Sequence, residues 1–459
     1  GGNYNTVVGD EAGTAITTGD SNVAVGYTAL DATTTASNNT AVGFAALTIN
    51  VTGAQNTAVG GYALYNNEAS DNTGLGYNAL FTNTTGTNNT AVGKDALVAN
   101  TTGDTNTALG YLALDANTTA SNNTAVGASA LTANTTGTQN AAVGAEAMDA
   151  NTTGNTNAAL GIGALGSNTT ASNNTAVGAF ALLANTTGAE NTAVGRSALL
   201  ANTTANDNTA VGYAALVANT TGAENTGIGK SSLDANTTAT QNTGIGYDSL
   251  GGTTTGGENV GLGHSALVAN TTGNENTAVG KEALASSVAA DRNTAVGYRA
   301  LRVCNPSGNV DMYNVAMGYS AGVAVSTGIR NTFVGSFAGE AISSGSENIM
   351  LGYDIENNSA GADRNIVIGN FIAGAGANTV RIGTAAGTAT LNLDGSDTSW
   401  AAASDLRLKK DIADSTVGLN FIKDLRPVTF KWNAKDAIAN TLPKYDASSS
   451  DPVYGEGKA

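Results

Sequence analysis

The chain has 459 residues, only 12% of them charged, and a formal net charge of −17 at neutral pH. Such an acidic chain lacks the basic footprint of a nucleic-acid-binding protein, and anionic membrane surfaces repel it. Cys304 and His264 are the single residues of their kinds, which excludes an internal disulfide framework, a cysteine-based zinc site and chemistry that needs clustered histidines.

A short motif recurs along most of the chain at intervals of 17 residues. Asn-Thr-Ala-Val-Gly, or a close variant, ends on Gly93, Gly110 and Gly127, and the step of 17 holds from Gly76 to Gly297. A fixed period of this length indicates a solenoid, in which stacked units bury what one unit cannot bury alone. Disordered low-complexity chains have a similar composition but do not keep such a register.

Irregular steps divide the array. We predict a main array over residues 1–302, which contains one shortened step of 16 residues from Gly60 to Gly76. A step of 21 residues from Gly297 to Gly318 predicts a looped insertion at 303–313. Further rungs and a cap are expected at 314–397, and a separate domain at 398–459. Because Gly1 stands inside a repeat, we also expect residues upstream of it.

Each repeat predicts one three-residue strand, as in Thr40-Ala41-Val42, because the period-two pattern is too short for a helix and the links are rich in Thr, Asn and Gly. We expect Thr and Val to point into the coil and the small Ala to face another chain. A second short strand is expected at Ala46-Leu47, followed by an Asn-Thr-Thr-Gly turn. No stretch is long and apolar enough to cross a bilayer.

One rung is poorly supplied with apolar bulk. Ordering 17 residues costs on the order of 25 kcal/mol of conformational entropy, against little more than a Val, a Leu and several Ala. Hydrogen bonds between rungs and contacts between chains must add to this, so we predict a side-by-side homotrimer. The larger Phe333, Met350 and Val367 at the small-residue position predict a bulkier transition or cap.

The segment Ser21-Asn22-Val23-Ala24-Val25-Gly26 is very similar to the head repeat of trimeric autotransporter adhesins. In that family the unit forms a left-handed parallel β-roll, three of which pack side by side. The resemblance covers about Gly1 to Gly383. It implies an all-β, parallel β-roll or β-solenoid of 17-residue rungs in a trimer.

Beyond Thr398 the period ends and both tryptophans appear. Ser404-Asp405-Leu406-Arg407-Leu408-Lys409, followed by Pro427-Val428-Thr429-Phe430-Lys431-Trp432, resembles the start of the self-cleaving intramolecular chaperone of endosialidase tailspikes and phage fibres. The resemblance implies a small, incomplete α+β domain that trimerises. It also implies cleavage of the Ser404-Asp405 bond, with Ser404 as nucleophile and Lys409 as activating base, since a serine hydroxyl needs a proton acceptor to react.

Other motifs carry weaker signals. The residue after each glycine varies widely, as in Tyr27, Lys94 and Arg196, which indicates an exposed edge that is either plain surface or a glycan contact. The Asn-Thr-Thr turns match glycosylation sequons by repetition alone. Acidic residues lack the density of a calcium-binding roll, and Gly74-Leu75-Gly76 has no helix after it to hold a phosphate. We therefore predict no metal and no cofactor.

Together these features favour a structural and adhesive fibre shaft of a phage tail, located in the virion. Its expected partners are its own two copies, other virion tail proteins and a host cell-surface receptor or glycan. The alternative is a bacterial trimeric surface adhesin. A glycan-cleaving tailspike is disfavoured, because the array has no carboxylate pair distinct from its repeat; apart from self-cleavage, no enzyme activity is predicted.

Overall fold

The structure, a computed structural model, describes residues 2–393 and the backbone of residues 401–402. These residues contain no helix, and therefore none that could span a bilayer. They form an all-β parallel solenoid of about 22 turns that repeats every 17 residues. The predicted all-β parallel solenoid is confirmed, while the predicted homotrimer and domain boundaries stay predictions. Apart from residues 401–402, the predicted α+β domain lies outside the described residues.

The strands are short and almost identical until the last rungs. Their bounds are β1 Thr6–Val8, β2 Val23–Val25, β3 Thr40–Val42, β4 Thr57–Val59, β5 Thr73–Leu75, β6 Thr90–Val92, β7 Thr107–Leu109, β8 Thr124–Val126, β9 Ala141–Val143, β10 Ala158–Leu160, β11 Thr175–Val177, β12 Thr192–Val194, β13 Thr209–Val211, β14 Thr226–Ile228, β15 Thr243–Ile245, β16 Val260–Leu262, β17 Thr277–Val279, β18 Ala290–Asp291, β19 Thr294–Val296, β20 Val310–Asp311, β21 Val315–Met317, β22 Thr332–Val334, β23 Ile349–Glu356, β24 Ile366–Ala373, β25 Thr379–Thr384, β26 Gly387–Asn392 and β27 Ala401–Ala402.

From β1 to β25, leaving aside β18 and β20, each strand pairs in parallel and in register with the next, so that each column of the sheet repeats one kind of residue. In β6 and β7, for example, Thr90 is opposite Thr107 and Ala91 is opposite Ala108. The glycine that ends each strand adopts a positive φ, +139° at Gly93, and turns the chain away from the sheet. A Cβ on Gly93 would lie 2.3 Å from the carbonyl oxygen of Gly110 in the next rung, so this position requires glycine.

The side chains point opposite to our expectation. The central Ala108 of β7 is fully buried inside its own coil, together with Leu114, whereas Thr107 and Leu109 are exposed. The physical reason is a narrow interior. At Gly74, which occupies the same column, an added Cβ would lie 3.1 Å from both Leu64 Cγ and the Ala79 carbonyl oxygen. The residues of this column are small because the turn segments of the same chain, which contain Leu64 and Ala79, occupy the interior beside them.

The predicted second strand is also wrong. Ala46 and Leu47 lie in a run of turns, and Leu47 has a φ of +54°. The same conformation recurs in other rungs, for example at Leu97 with a φ of +52°. This segment still bonds to its neighbour, since the Leu97 N–H donates to the Ala113 carbonyl at 3.0 Å. Rungs are thus joined on more than one side without a second regular strand.

Two ladders of buried asparagines complete the core. The first ladder is formed by the asparagine that precedes each strand. For example, the backbone N–H of Asn106 donates to Asn89 Oδ1 at 2.9 Å, and the Asn106 side chain donates to the Ala120 carbonyl. In the turn, Asn117 Nδ2 donates to Asn100 Oδ1 at 2.9 Å. Most of these buried amides are therefore hydrogen-bonded to a neighbouring rung, which supplies polar cohesion that apolar burial alone does not; the exceptions include Asn50 Oδ1, Asn236 Oδ1 and Asn270 Oδ1.

The irregular steps leave the stack intact. At the 21-residue step, β20 pairs in parallel with β18, and Cys304 Sγ lies 3.3 Å from Met312 Sδ in the interior. Phe333, Met350 and Val367 are fully buried within the chain's own coil and do not face another chain. Parallel stacking ends at β25, along which β26 runs antiparallel.

Candidate interaction surfaces

The residues predicted for self-cleavage, Ser404, Asp405 and Lys409, lie outside the described residues, so their roles stay predictions. The described part instead shows two long surface features. Both arise from the in-register stacking, which turns any residue type at one position of the repeat into a continuous line along the solenoid.

The first feature is the outward strand face, formed by the first and third residues of the strands. Leu109 is 46% exposed and Leu160 is 51% exposed, although each sits in a regular strand. The other large apolar side chains exposed on this face of the main sheet are Val8, Leu75, Val143, Ile228, Val260, Leu262, Val315, Met317, Val334 and Ile349, together with Ile382, which lies opposite Ile368 of β24. An apolar line of this length is rare on monomeric proteins and marks an interaction surface.

The second feature is the post-glycine column, formed by the residue after each strand-ending glycine. Tyr27 and Phe44 stack with ring centroids 5.3 Å apart near one end of the column. Tyr298 and Tyr319 stack at 5.0 Å farther along. Neighbouring rungs are close enough for such rings to touch, because strands lie about 4.8 Å apart.

The post-glycine column also holds the basic residues. The first 281 residues contain four Lys and Arg, and all four occupy this column: Lys94, Arg196, Lys230 and Lys281. Lys94 and Lys281 each pair with the acidic residue that follows, at 3.5 Å and 3.8 Å. Arg196 and Lys230 make no ion pair within the described residues and lie against tyrosine rings instead.

Three carboxylates come together on the late rungs. The side-chain oxygens of Glu340, Asp354 and Glu356 lie within 4.8 Å of one another, all half-buried. Burial raises the pKa of Glu340, and the neighbouring Glu356 and Asp354 raise it further. Carboxylate oxygens suit hard cations, but acidic groups at this exposure also cluster without an ion, so we assign no metal to them.

A notch of about 360 Å³ interrupts the surface at one rung. Gly163 and Gly166 line it where the next rung carries Phe180 and Leu183, so two side chains are missing from the outer wall. Glu146 and Asp149 from the preceding rung also line the notch. Burial raises the pKa of Asp149, and Glu146 adds to the shift.

Sequence reasoning missed the outward strand face, although a signal was present. The position now seen inside the coil accepts almost only Ala or Gly, whereas the outward positions accept Thr, Val, Leu, Ile and Met. Strict size selection is typical of a closely packed interior. Tolerance among apolar types is typical of a less confined contact.

Comparison with known families identifies one domain. Residues 404–445 match the family model described as chaperone of endosialidase, which confirms an intramolecular chaperone domain at the C-terminal end. No curated protein and no solved structure matches the chain.

Proposed function

We propose that the chain is the structural and adhesive shaft of a phage tail fibre, folded with the help of its C-terminal chaperone domain. The observation that carries the proposal is the order of the two parts: a long solenoid followed by residues 404–445, which match the endosialidase chaperone. A chaperone of this kind at the end of a repetitive β-structure is typical of phage tail proteins. The corresponding location is the virion, with other tail proteins and a host cell-surface receptor or glycan as partners.

The proposal includes a homotrimer. The outward strand face supports it, because that face carries an apolar line that a single chain leaves in water. The buried alanine column, which we first expected at the chain interface, does not take part, since it lies inside each coil. Three copies that pack through Leu109, Leu160 and their equivalents would cover the line.

Self-cleavage remains part of the proposal. Lys409 would accept the proton of the Ser404 hydroxyl, whose oxygen would attack the carbonyl carbon of the Ser404-Asp405 bond and form an ester. The C–N bond would break, Asp405 would leave as an amine that takes up the proton, and water would hydrolyse the ester to a carboxylate, which releases the chaperone from the shaft. The start of the family match at residue 404 supports this position. A base beside the serine is required because the hydroxyl is a weak nucleophile at neutral pH.

Light scattering on the purified chain with Ser404→Ala, which is expected to keep its full mass, tests the trimer; this background is used for every protein compared. We expect three times the chain mass, and a loss of this assembly when acidic residues interrupt the outward strand face. The variant replaces four exposed leucines with Glu: Leu75, Leu109, Leu160 and Leu262. The control replaces four exposed turn threonines with Glu: Thr102, Thr136, Thr153 and Thr221. A monomeric Ser404→Ala chain, or equal assembly of both variants, would contradict the proposal.

Antibodies to residues 2–393 distinguish the tail fibre from the alternative, a bacterial trimeric surface adhesin. The similarity of the repeat to adhesin heads favours that alternative. We expect the antibodies to label the tails of purified phage particles in electron micrographs. Labelling of the envelope of uninfected cells, with unlabelled particles, would favour the adhesin.

A further inference from the structure

Eight consecutive rungs carry only aromatic or basic side chains in the post-glycine column. We call this segment the aromatic-basic stripe; its residues are Arg196, Tyr213, Lys230, Tyr247, His264, Lys281, Tyr298 and Tyr319. Seven steps of about 4.8 Å make it roughly 34 Å long. The rungs immediately before it carry Ala145, Ile162 and Ala179 in the same column, so the stripe has a defined start.

The first half of the stripe alternates strictly between basic and aromatic residues. Lys230 Nζ lies 6.0 Å from the ring centroid of Tyr213 and 5.6 Å from that of Tyr247. Arg196 Cζ lies 5.9 Å from the Tyr213 centroid on the other side. The ring of His264 continues the line, 5.1 Å from Tyr247. The side chains thus form one connected row.

The charges of this row are available to a partner. Arg196 and Lys230 are exposed and form no ion pair with a carboxylate of the described residues. The chain as a whole has 36 acidic and 19 basic residues, so a basic side chain has more acidic residues available to it than it needs. Arg196 and Lys230 nevertheless have tyrosine rings, and not carboxylates, as their neighbours. The tyrosine faces are also accessible, with Tyr213 50% and Tyr247 48% exposed.

We propose that the aromatic-basic stripe binds a linear acidic polysaccharide that runs along the fibre. Exposed tyrosine rings offer flat apolar faces for sugar rings, and the basic groups between them pair with carboxylates. In the first half of the stripe, from Arg196 to Tyr247, like residues repeat every two rungs, roughly 10 Å, which is about the length of two extended sugar rings. The inference rests on the proposed function, because it gives the host-surface ligand of the shaft a chemical class and a place.

Charge density favours such a polysaccharide over nucleic acid. Duplex DNA carries one negative charge per about 1.7 Å of its axis. In the stripe, by contrast, Arg196 and Lys230 place only one positive charge on every second rung. The remaining surface is strongly acidic and repels a dense polyanion. A polymer with one carboxylate for every two sugar rings matches this spacing.

Binding of hyaluronan, which has one carboxylate per disaccharide, tests the proposal on the full chain in its natural assembly. Isothermal titration should show binding that weakens as salt increases, and much weaker binding of carboxyl-reduced hyaluronan and of duplex DNA. The double variant Arg196→Gln and Lys230→Gln should lose about tenfold in affinity, as expected for two exposed charge contacts. Tyr213→Ala with Tyr247→Ala should also weaken binding, including that of the reduced polymer.

Lys94→Gln is the matched control, because Lys94 occupies the same column outside the stripe and is paired with Asp95. It should bind as wild type does. The proposal is overturned if hyaluronan does not bind, if the reduced polymer or DNA binds equally well, or if the stripe variants keep full affinity. It is also overturned if these variants dissociate the assembly, since the stripe would then contact a second copy. The proposed function has its own tests. If light scattering shows a trimer and the antibodies label phage tails, any of these negative results would overturn only the polysaccharide proposal.

Discussion

Phe333 fills the interior space that Gly339 leaves open. A Cβ on Gly339 would lie 2.4 Å from Phe333 Cε1, and one on Gly322 would lie 2.7 Å from Phe333 Cδ2. The backbone does not itself require glycine there, because Leu301 occupies the equivalent position two rungs before Gly339 with a φ of +49°. One large ring therefore replaces the leucines that its neighbouring rungs would otherwise contribute.

Gly339→Leu is expected to destabilise these rungs by overpacking, and Phe333→Ala by leaving a cavity, at a cost of about 3–5 kcal/mol for the latter. The double variant restores the ordinary Ala and Leu pair, so it should be less destabilised than the sum of the two. Hydrogen exchange over residues 315–356 measures the local effect. Additive losses would contradict the direct relationship between the two residues.

Thr253→Asn is expected to stabilise the solenoid. The turn ladder is broken at this position, where Asn236 Oδ1 and Thr253 Oγ1 are buried without a hydrogen-bond partner. An asparagine could donate to Asn236 and accept from Asn270, a gain of about 1 kcal/mol per hydrogen bond. Slower hydrogen exchange in residues 236–270 would show it.

Thr33→Asn is the control for this ladder. The Thr33 hydroxyl already donates to the Asn50 carbonyl at 2.7 Å, so the substitution exchanges one bond for another. We expect little change in stability. An equal gain in both variants would mean that the unsatisfied atoms at 253 are not the cause.

Gly60→Ala and Gly61→Ala should differ sharply although they are adjacent. Gly60 has a φ of +134°, and its added Cβ would lie 2.5 Å from the Gly76 carbonyl oxygen. Gly61 lies in the post-glycine column, where other rungs carry alanine, and the nearest atom to its Cβ is 3.4 Å away. We expect a loss of about 2 kcal/mol or more for Gly60→Ala and almost none for Gly61→Ala, measured by thermal unfolding.

Asp149→Asn should stabilise the protein at neutral pH. Burial and Glu146 raise the pKa of Asp149 in the folded chain, so folding favours its protonated form. The associated stability is fully present below the unfolded pKa, near 4, and is lost as pH rises through the folded value. The melting temperature of the variant should exceed that of wild type at pH 7 and approach it at pH 3. A pH-independent difference would contradict this account.

Ser404→Ala should keep the full chain mass if the serine drives self-cleavage. Wild type is expected to give two fragments, one beginning at Asp405, because bond cleavage needs the serine hydroxyl. Lys409→Met should slow the reaction by removing the proton acceptor. Mass spectrometry of the complete expressed chain measures both. Identical masses for wild type and Ser404→Ala would exclude processing at this site.

The period of the motif was sufficient to predict the fold class. Spacing between Gly93, Gly110 and Gly127 places equivalent residues side by side, and parallel stacking follows from it. The direction of the side chains could not be predicted in the same way, because alternation gives two faces without saying which one is inside. That choice depends on where Leu114 lies, and its loop conformation, with φ of +53°, has no signal in a period-two pattern.

The candidate surfaces were predictable only in part. The variable post-glycine residues indicated an exposed edge, and Tyr213 and Lys230 are indeed exposed. That these side chains contact one another across rungs could be recognised only from the distances between rings and amines in the structure. The residues of the outward strand face were predicted to lie in the interior, because Val and Leu are ordinarily core residues. They lie outside because a coil this narrow has no room for them beside Leu114.

The in-register asparagine ladders make neighbouring turns interchangeable. A chain that shifted its register by one whole repeat during folding would find almost the same hydrogen-bond partners in the next rung and would lose the contacts of only one rung. The free-energy cost of such a register shift is therefore small in the uniform part of the solenoid. The few irregular rungs, such as the shortened step before Gly76 and the rung of Phe333, raise this cost and so favour the correct register.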